Sequence, residues 1–399
     1  MQPGIPITIH PTLRLILNKS LLIHLIHSLI NQGVLLHRIL LHGILLTGLL
    51  MLSACSTAPK VEVSGPIFYP PLPNPPYIQY LATFSSPSDI NNDSSEFTDF
   101  ILGDQDANAN LVQKPYGLTI YNGKIFVVDT RGPGYAVFDL TKKRAYTVSG
   151  FGSGRMKKPI NITIDKEGNR YVTDTGRGQV LVYDRGDRFV KAYGIKGQFK
   201  PSDVAISGDK LFVSDVEHHK IHVLSKQTGE TLYGFGKAGQ KEGEFLYPTN
   251  MELANDGNLY ISEIGNFRIQ VVTQDGKFVK IIGKLGSGLG QFARPKGVAV
   301  DRGGNVYVVD AAFENVQVLD KEGKLLLFFG AAGGGPDSIN LPTDIEIDYE
   351  NAALFQKYAE PKFKLEYIIL IASQFGENKV NVYGYGRMQD MDYTIPATD

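Results

Sequence analysis

The chain repeats one pattern six times, and this repetition restricts its fold more than any other feature. A proline opens each unit, and successive units begin 42 to 47 residues apart, at Pro115, Pro159, Pro201, Pro248, Pro295 and Pro342. Each proline is followed by a short apolar strand, a turn that usually holds glycine, and two further strands. A fourth strand then leads into a glycine-rich loop. Four short strands in a repeat of about 45 residues are typical of a propeller blade. The sequence therefore predicts an all-β, six-bladed β-propeller.

The sixth unit lacks an evident outer strand, because a polar tail at residues 387–399 follows its third strand. A suitable apolar segment lies before the first unit, at residues 78–84. We predict that this segment pairs with residues 379–385, because such closure by an N-terminal strand removes the open edge between the first and last blades. The sixth unit also carries an insertion at residues 349–363. The sequence leaves open whether this insertion is a helical turn or a long loop.

Two units carry the pattern most completely, Pro248 to Gly283 and Pro295 to Gly330. Both contain Gly-Asn-x-Tyr-(Val/Ile)-x-(Asp/Glu), followed by (Ile/Val)-Gln-Val and a further glycine. These motifs resemble the NHL repeat family, and the resemblance extends over about residues 77–386. It implies a six-bladed propeller. NHL lipoproteins of this layout are similar to accessory proteins of envelope systems, including systems that handle multihaem cytochromes.

The first 54 residues predict a secretory signal peptide. They contain no Asp or Glu, and Arg38 precedes an apolar run from Ile39 to Leu52. The run leads into Leu-Ser-Ala-Cys, which resembles a bacterial lipobox and implies that Cys55 becomes the lipid-modified first residue of the mature chain. Ser56 in the next position favours the outer membrane. A membrane-spanning helix is the less favoured alternative, because the apolar stretch is short and is interrupted by basic side chains.

Residues 55–76 predict a tether between this lipid anchor and the propeller. They contain seven prolines, which favour extended polyproline geometry. The predicted organisation is therefore a signal peptide at 1–54, a lipidated cysteine and tether at 55–76, a propeller at 77–386 and a polar tail at 387–399. The sequence leaves open whether the propeller faces the periplasm or the cell surface.

Charge and cysteine content exclude several functions. The formal net charge is −1, which removes the usual electrostatic reason for binding nucleic acid. A single cysteine excludes a disulfide framework, a zinc ribbon and an iron–sulfur cluster. After residue 54, the only histidines are His218, His219 and His222, all in one unit. This disfavours the axial zinc chemistry of the amidating-lyase branch of NHL enzymes, and we predict that these histidines lie in a solvated loop.

The second residue after each opening proline is expected near the central axis of the propeller. Four of these six residues are polar, and two are glycines: Asn161, Asp203, Asn250 and Asp344, with Gly117 and Gly297. One interpretation is that the four polar residues bind Ca²⁺ or another divalent ion through oxygen, as a comparable mixed set does in lactonase-like propellers. The other is that they cap backbone groups at the ends of the inner strands. We favour capping, because two positions are glycine and no axial glutamate is evident.

An acid ends the second strand in five units: Asp129, Asp174, Asp215, Glu263 and Asp310. A feature that every blade repeats is expected to serve every blade, so we interpret these acids as caps that accept backbone N–H groups.

The loops after the second strands carry arginine and aromatic residues of the kind enriched at binding hot spots: Arg131, Arg177, His219, Phe267, Arg268 and Phe313. We predict a non-catalytic, lipid-anchored propeller of the bacterial outer membrane without a cofactor. It would use this face to dock another envelope or extracellular protein, with a multihaem cytochrome system suggested by resemblance. The alternative is a metal-dependent lactonase or other hydrolase with a divalent ion at the axis.

Overall fold

The computed structural model describes residues 65–90 and 110–394, together with His24. Six antiparallel sheets follow one another in these residues, and the first strands of consecutive sheets contact each other in a closed circle. The all-β, six-bladed propeller predicted from the repeats is thus confirmed. No helix in the described part of the chain has the length and apolar character needed to cross a membrane.

The strands are numbered in chain order. Two precede the first blade, β1 (Phe68–Tyr69) and β2 (Ile78–Phe84). Blade 1 comprises β3 (Pro115–Tyr121), β4 (Lys124–Asp129), β5 (Gly134–Asp139) and β6 (Arg144–Val148). Blade 2 comprises β7 (Pro159–Ile164), β8 (Arg170–Asp174), β9 (Gln179–Tyr183) and β10 (Phe189–Tyr193). Blade 3 comprises β11 (Pro201–Ser207), β12 (Lys210–Asp215), β13 (Lys220–Ser225) and β14 (Thr231–Phe235).

Blade 4 comprises β15 (Pro248–Leu253), β16 (Leu259–Glu263), β17 (Arg268–Val272) and β18 (Phe278–Ile282). Blade 5 comprises β19 (Pro295–Val300), β20 (Val306–Asp310), β21 (Asn315–Leu319) and β22 (Leu325–Phe329). Blade 6 contains β23 (Asn340–Asp348), β24 (Phe363–Phe375) and β25 (Val380–Met388). Short helical segments occur at α1 (Ala352–Phe355) and as 3₁₀ turns at Pro87–Asp89, Gly152–Gly154 and Gln356–Tyr358.

Blade 6 is closed by the N-terminal strand, as predicted. Its order is β1-β2-β25-β24-β23, and β2 pairs antiparallel to β25 from Ile78 opposite Tyr385 to Phe84 opposite Val380. Phe84 is almost completely buried and packs against Phe138 of blade 1, with ring centroids 6.0 Å apart. The closing strand therefore joins the sheet of the last blade and the core of the first.

The described part of the proline-rich segment packs on blade 6 and does not form a free spacer there. Phe68 pairs with Gln79 of β2, and its ring lies 5.6 Å from that of Phe363. Tyr69 donates a hydrogen bond to Asp337 in the loop between blades 5 and 6. The predicted signal peptide and Cys55 lie outside the described residues.

An apolar cluster fills each of the six interfaces between neighbouring blades. The middle strands are buried on both faces because each blade is covered by two neighbours, which explains why the sequence shows continuous apolar runs. The insertion in blade 6 contributes to the first of these clusters. Its α1 places Phe355, which is fully buried, against Phe84 at a ring distance of 6.3 Å. The insertion is thus a helical turn.

The propeller has two different faces. The loops between consecutive blades and those joining second to third strands open on one side, which we call the loop face. The tight connections between first and second strands, and between third and fourth strands, open on the other side, which we call the turn face.

Candidate axial site and loop face

The structure brings the four polar residues of the predicted ring together at the axis. Asn161, Asp203, Asn250 and Asp344 lie on the inner strands of blades 2, 3, 4 and 6, and all four are buried. Asn250 reaches across from blade 4 and donates from Nδ2 to Oδ1 of Asp344, at 2.9 Å. We call these four residues the axial ring.

The carboxylates of the axial ring cap backbone groups, and they do so between blades. Asp203 accepts from the N–H of Val204 and from that of Met251 in the next blade, each at 2.7 Å. Asp344 accepts from the N–H of Leu118 in blade 1, at 3.0 Å. Capping is thus observed for the two carboxylates, and their bonds connect blade 3 to blade 4 and blade 6 to blade 1.

The two glycines in this series are required by close packing. A Cβ at Gly117 would lie 1.9 Å from Oδ1 of Asn161, and one at Gly297 would lie 2.7 Å from the Cα of Asp344. Each glycine thus makes room for the polar residue of the following blade. The glycines do not argue against a ligand site, because they position two members of the axial ring.

One acceptor in the ring has no partner. Oδ1 of Asn250 is buried and makes no hydrogen bond, although the side chain is only 1% exposed. A buried polar atom without a partner costs free energy, and native proteins retain few of them. An amide oxygen is also a suitable ligand for a hard cation.

A second layer of acids lies two residues further along two of the inner strands. Glu252 follows Asn250 on β15, and Glu346 follows Asp344 on β23. Because side chains of a strand alternate with a period of two, both acids share the axial face with the ring. Thr119 of blade 1 donates to Oε1 of Glu346, at 3.4 Å. We call Glu252 and Glu346 the inner acids. The sequence could have predicted the position of the inner acids, since the period of two applies to any strand. From the sequence, the residues that follow the axial ring were interpreted only as apolar strand.

The inner acids line a cavity of about 540 Å³ that extends to the turn face. At the mouth of the cavity, Lys226 pairs with Asp165 at 3.0 Å and with Glu167 at 3.2 Å. The charge of Lys226 is therefore balanced by acids at the rim of the cavity. No ion pair to the ring carboxylates or to the inner acids occurs among residues 65–90 and 110–394. Four carboxyl groups therefore share the axis without a paired cation in the part that the structure describes.

Burial and mutual repulsion raise the pKa values of the two ring carboxylates and the two inner acids, which favours their protonated forms. Removal from water, followed by the charge of Asp344, raises the pKa of Glu252 to about 8. Removal from water raises the pKa of Asp344 to about 7, against the opposing effect of its backbone hydrogen bonds. The pKa values of Asp203 and Glu346 are also raised well above their usual range by burial and by neighbouring carboxylates. Such shifts are expected where like charges are buried together.

The acids at the ends of the second strands are caps, as predicted. Asp174, for example, accepts from the backbone N–H groups of Lys157, Lys158 and Arg177, at 2.7 to 3.0 Å. Asp310 binds the N–H groups of Ala293 and Arg294 in the same way. These acids hold the loop that enters a blade against the loop after its second strand.

The prediction that the histidines lie in a solvated loop is correct for His218, which is exposed in the loop after β12, and wrong for His222, which lies on β13. His218 and His222 both contact Oδ2 of Asp215, at 2.7 and 2.9 Å, and His222 is buried. Burial opposes ionisation of Asp215, but the hydrogen bonds from both histidines hold its pKa well below the usual range. His219 instead accepts from the N–H of Tyr247, at 3.0 Å. No set of three or more metal-binding His, Cys, Asp or Glu side chains is found in the described part of the chain.

The six residues predicted to bind a partner differ in how exposed they are. Arg131 is exposed, and Phe313 is partly exposed beside a small apolar cavity. Arg177 donates to the carbonyl groups of Ser153 and Arg155, at 2.7 and 3.0 Å.

The remaining three are less available to a partner. His219 and Phe267 are half-buried. Arg268 is buried and bound to Glu263 at 2.7 Å, so it supports the blade and does not face a partner.

Comparison with known proteins supports the fold and the repeat. A family model described as the NHL repeat matches residues 292–319, which confirms the resemblance seen in the repeats. The protein brain tumor of Drosophila melanogaster is 32% identical over 90 residues, covering 22% of this chain and 9% of that protein. A probable peptidyl-α-hydroxyglycine α-amidating lyase of Caenorhabditis elegans is 27% identical over 133 residues, covering 30% of this chain and 38% of that protein. The chain thus spans at most 38% of these relatives.

A solved structure of a gluconolactonase from Xanthomonas campestris has the same fold. The TM-score is 0.52 at 13% identity, covering 83% of this chain and 98% of that one. The prediction that the chain is not an enzyme is contradicted, because its relatives and structural neighbours include proteins named as a lyase and a gluconolactonase. The prediction gave weight to the two ring glycines, which the structure explains by close packing.

Proposed function

We propose that this chain is a propeller hydrolase that acts on a lactone or a related ester with a divalent cation held by the axial ring. The unpartnered Oδ1 of Asn250, buried beside two carboxylates at the axis, is the observation that carries this proposal. The gluconolactonase with the same fold supports lactones as the first substrate class to test.

The residues present fit a hard cation. Asn161, Asp203, Asn250 and Asp344 offer amide and carboxylate oxygens, which Ca²⁺ and similar ions prefer. The backbone N–H groups occupy part of the acceptor capacity of each carboxylate, and an ionised carboxylate has about four lone-pair sites in all. A bound divalent ion would polarise an ester carbonyl and lower the pKa of a bound water.

The chain itself supplies the surroundings for this chemistry. The capping bonds from Met251 and Leu118 fix the orientation of Asp203 and Asp344, so the ring is held before a substrate arrives. Glu252 and Glu346 line the cavity that leads from the turn face, where their carboxyl groups can accept or donate a proton. Met251 and its apolar neighbours form part of the cavity wall and exclude water from that side.

The test combines binding with turnover. The full chain, stripped with a chelator, is titrated calorimetrically with Ca²⁺ and other divalent ions, and hydrolysis of lactones and aryl esters is then measured with and without the ion. We expect ion-dependent turnover in the wild type and its loss in Asn250→Leu, which removes the free acceptor at similar volume. Asn258→Ala in the turn of the same blade is the matched control, because the side chain of Asn258 bonds to Asp256 in that same turn. No binding at millimolar concentrations and no turnover would refute the proposal.

We also propose that the chain is lipid-anchored at Cys55 in the bacterial outer membrane. This rests on the Leu-Ser-Ala-Cys motif after an apolar run. Mass spectrometry of the mature N-terminal peptide is expected to find a diacylated Cys55, and Cys55→Ser is expected to release the protein from membranes. An unmodified Cys55 on a chain that still begins at residue 1 would contradict the anchor.

The docking of an envelope protein on the loop face, including a multihaem cytochrome system, stays a prediction. Of its residues, Arg131 and Phe313 remain exposed enough to contact such a partner. Pull-down from solubilised membranes with the tagged chain, compared with Arg131→Ala/Phe313→Ala, tests it. Equal recovery of every partner by the wild type and the double variant would contradict a role for these residues.

A further inference from the structure

Large apolar side chains protrude from the loop face at several blades. Six of them are more than half exposed, and they come from four loops between blades and from the end of β24, with two in the same loop: Phe151, Ile195, Tyr247, Leu285, Leu289 and Phe375. Phe151 is 93% exposed and Ile195 is 74% exposed. Among the described residues, no large apolar side chain in the turns of the opposite face is more than half exposed. The loop face is therefore more apolar than the turn face, and exposed apolar side chains concentrated on one face indicate contact with another body.

Two of the three most exposed large apolar residues, Phe151 and Ile195, flank a cationic cleft. The cleft has a volume of about 840 Å³ and is lined by Ser153, Arg155, Lys157, Arg177, Gln179 and Lys196. Phe151 immediately precedes one lining segment, and Ile195 immediately precedes Lys196. We call this group of residues the cationic cleft.

The cleft has no exposed acid to balance it. The three loops that form it, residues 149–158, 175–178 and 194–200, contain six Lys or Arg and no Asp or Glu. The acid at the base of these loops, Asp174, is completely buried and is occupied by backbone N–H groups. The side chains of Lys157 and Lys196 are exposed, so their charges face the solvent.

We propose that the loop face binds an anionic phospholipid surface, with headgroup phosphates in the cationic cleft and Phe151 and Ile195 in the interfacial layer. Cations contribute to binding of anionic membranes, and apolar tips add affinity when they enter the boundary between headgroups and acyl chains. A flat lipid surface also suits separate apolar tips that several loops of one face present together. This proposal is independent of the hydrolase activity, because the cleft lies on blade 2 and away from the cavity on the turn face.

The absence of tryptophan from the sequence makes a direct reporter possible. Phe151→Trp places a single indole at the predicted contact, and Leu232→Trp places one on the outer strand β14, where Leu232 is also about half exposed. With the full chain and vesicles of phosphatidylcholine containing phosphatidylglycerol, we expect a blue shift of the emission for Phe151→Trp and none for Leu232→Trp. Vesicles of phosphatidylcholine alone are expected to give a much smaller shift.

Removal of positive charge from the cationic cleft provides a second test of the proposal. Lys157→Gln/Lys196→Gln is expected to lower the partition onto anionic vesicles about 30-fold, since each such cation contributes about 1 kcal/mol. Lys321→Gln/Lys324→Gln removes two exposed cations from the turn face and is expected to leave partition unchanged. All variants retain the N-terminal segment, so its contribution is common to them.

Three results would overturn the proposal. The first is an equal indole shift with neutral and anionic vesicles. The second is equal partition of the two double-lysine variants. The third is binding to a soluble polyanion such as heparin without binding to vesicles, which would assign the cationic cleft to an acidic macromolecule instead.

Discussion

Replacing Glu252 by glutamine tests the electrostatics of the axis. Burial beside Asp344 raises the pKa of Glu252 from 4.5 to about 8, so the folded protein favours the protonated acid. Stability from this group is therefore fully present below the unfolded pKa near 4.5 and is lost as the pH rises through 8. A difference of one pKa unit is worth about 1.4 kcal/mol, which sets an upper limit of about 5 kcal/mol. Glu252 is partly exposed to the cavity and titrates together with its neighbours, so we expect about 2–3 kcal/mol.

The groups that face Glu252 define the experiment. Asp203, Asp344 and Glu346 share the axis, while Lys226 at the mouth is paired with the rim. The free energy of unfolding is measured by urea denaturation between pH 5 and pH 8, with a chelator present so that no cation offsets the repulsion. We expect Glu252→Gln to resemble the wild type near pH 5 and to be more stable by about 2–3 kcal/mol at pH 8.

Glu322→Gln is the matched control, because Glu322 is exposed in a turn of blade 5. This variant is expected to follow the wild type at every pH. If Glu252→Gln and the wild type lost stability in parallel between pH 5 and pH 8, the raised pKa assigned to Glu252 would be refuted.

Two further predictions concern the ring closure and the axis. Phe84→Ala should destabilise the propeller by about 3–5 kcal/mol, because it leaves a cavity between the first and last blades; Leu232→Ala on an exposed outer strand is the control, and an equal fall in melting temperature would contradict the closure. Gly117→Ala should lower the melting temperature, because its Cβ would collide with Asn161, whereas Gly334→Ala meets no atom within 4 Å. Equal melting of the two alanine variants would contradict the close packing at the axis.

The sequence predicted the fold because each blade is a local unit that recurs. Six prolines in phase, glycines in the turns and apolar runs identified the strands, and the missing outer strand of blade 6 identified its replacement at residues 78–84. The pairing of β1 was not predicted, because prolines on both sides of Phe68 favoured an extended spacer. Only the tertiary structure shows that Phe68 has a partner in Phe363, which is about 300 residues away and unrelated by the repeat.

The candidate site was predicted in part for a similar reason. The position of Asp344 followed from the repeat, since each blade presents the same residue to the axis. The contact between Asp344 and Asn250 did not follow from the repeat. Which blades a side chain can bridge depends on the diameter of the ring and the tilt of its strands. The acids Glu252 and Glu346 were missed because only one position in each inner strand was considered, although the period of the strand places both on the same face.

Capping and ligand binding at the axis are two consequences of the same arrangement. The inner strands of a propeller begin close together, so their first N–H groups need acceptors that belong to the neighbouring blade. Asp203 and Asp344 provide these acceptors, and in doing so they bring two carboxylates to the axis. Glycine at position 297 then allows Asp344 to approach closely enough for Asn250 to bond to it, which leaves the amide oxygen of Asn250 without a donor. A group of oxygens held by structural bonds, with one acceptor unused, offers ligands of the kind that a hard cation prefers. The bonds that close the ring therefore also prepare the site that we propose for the cation.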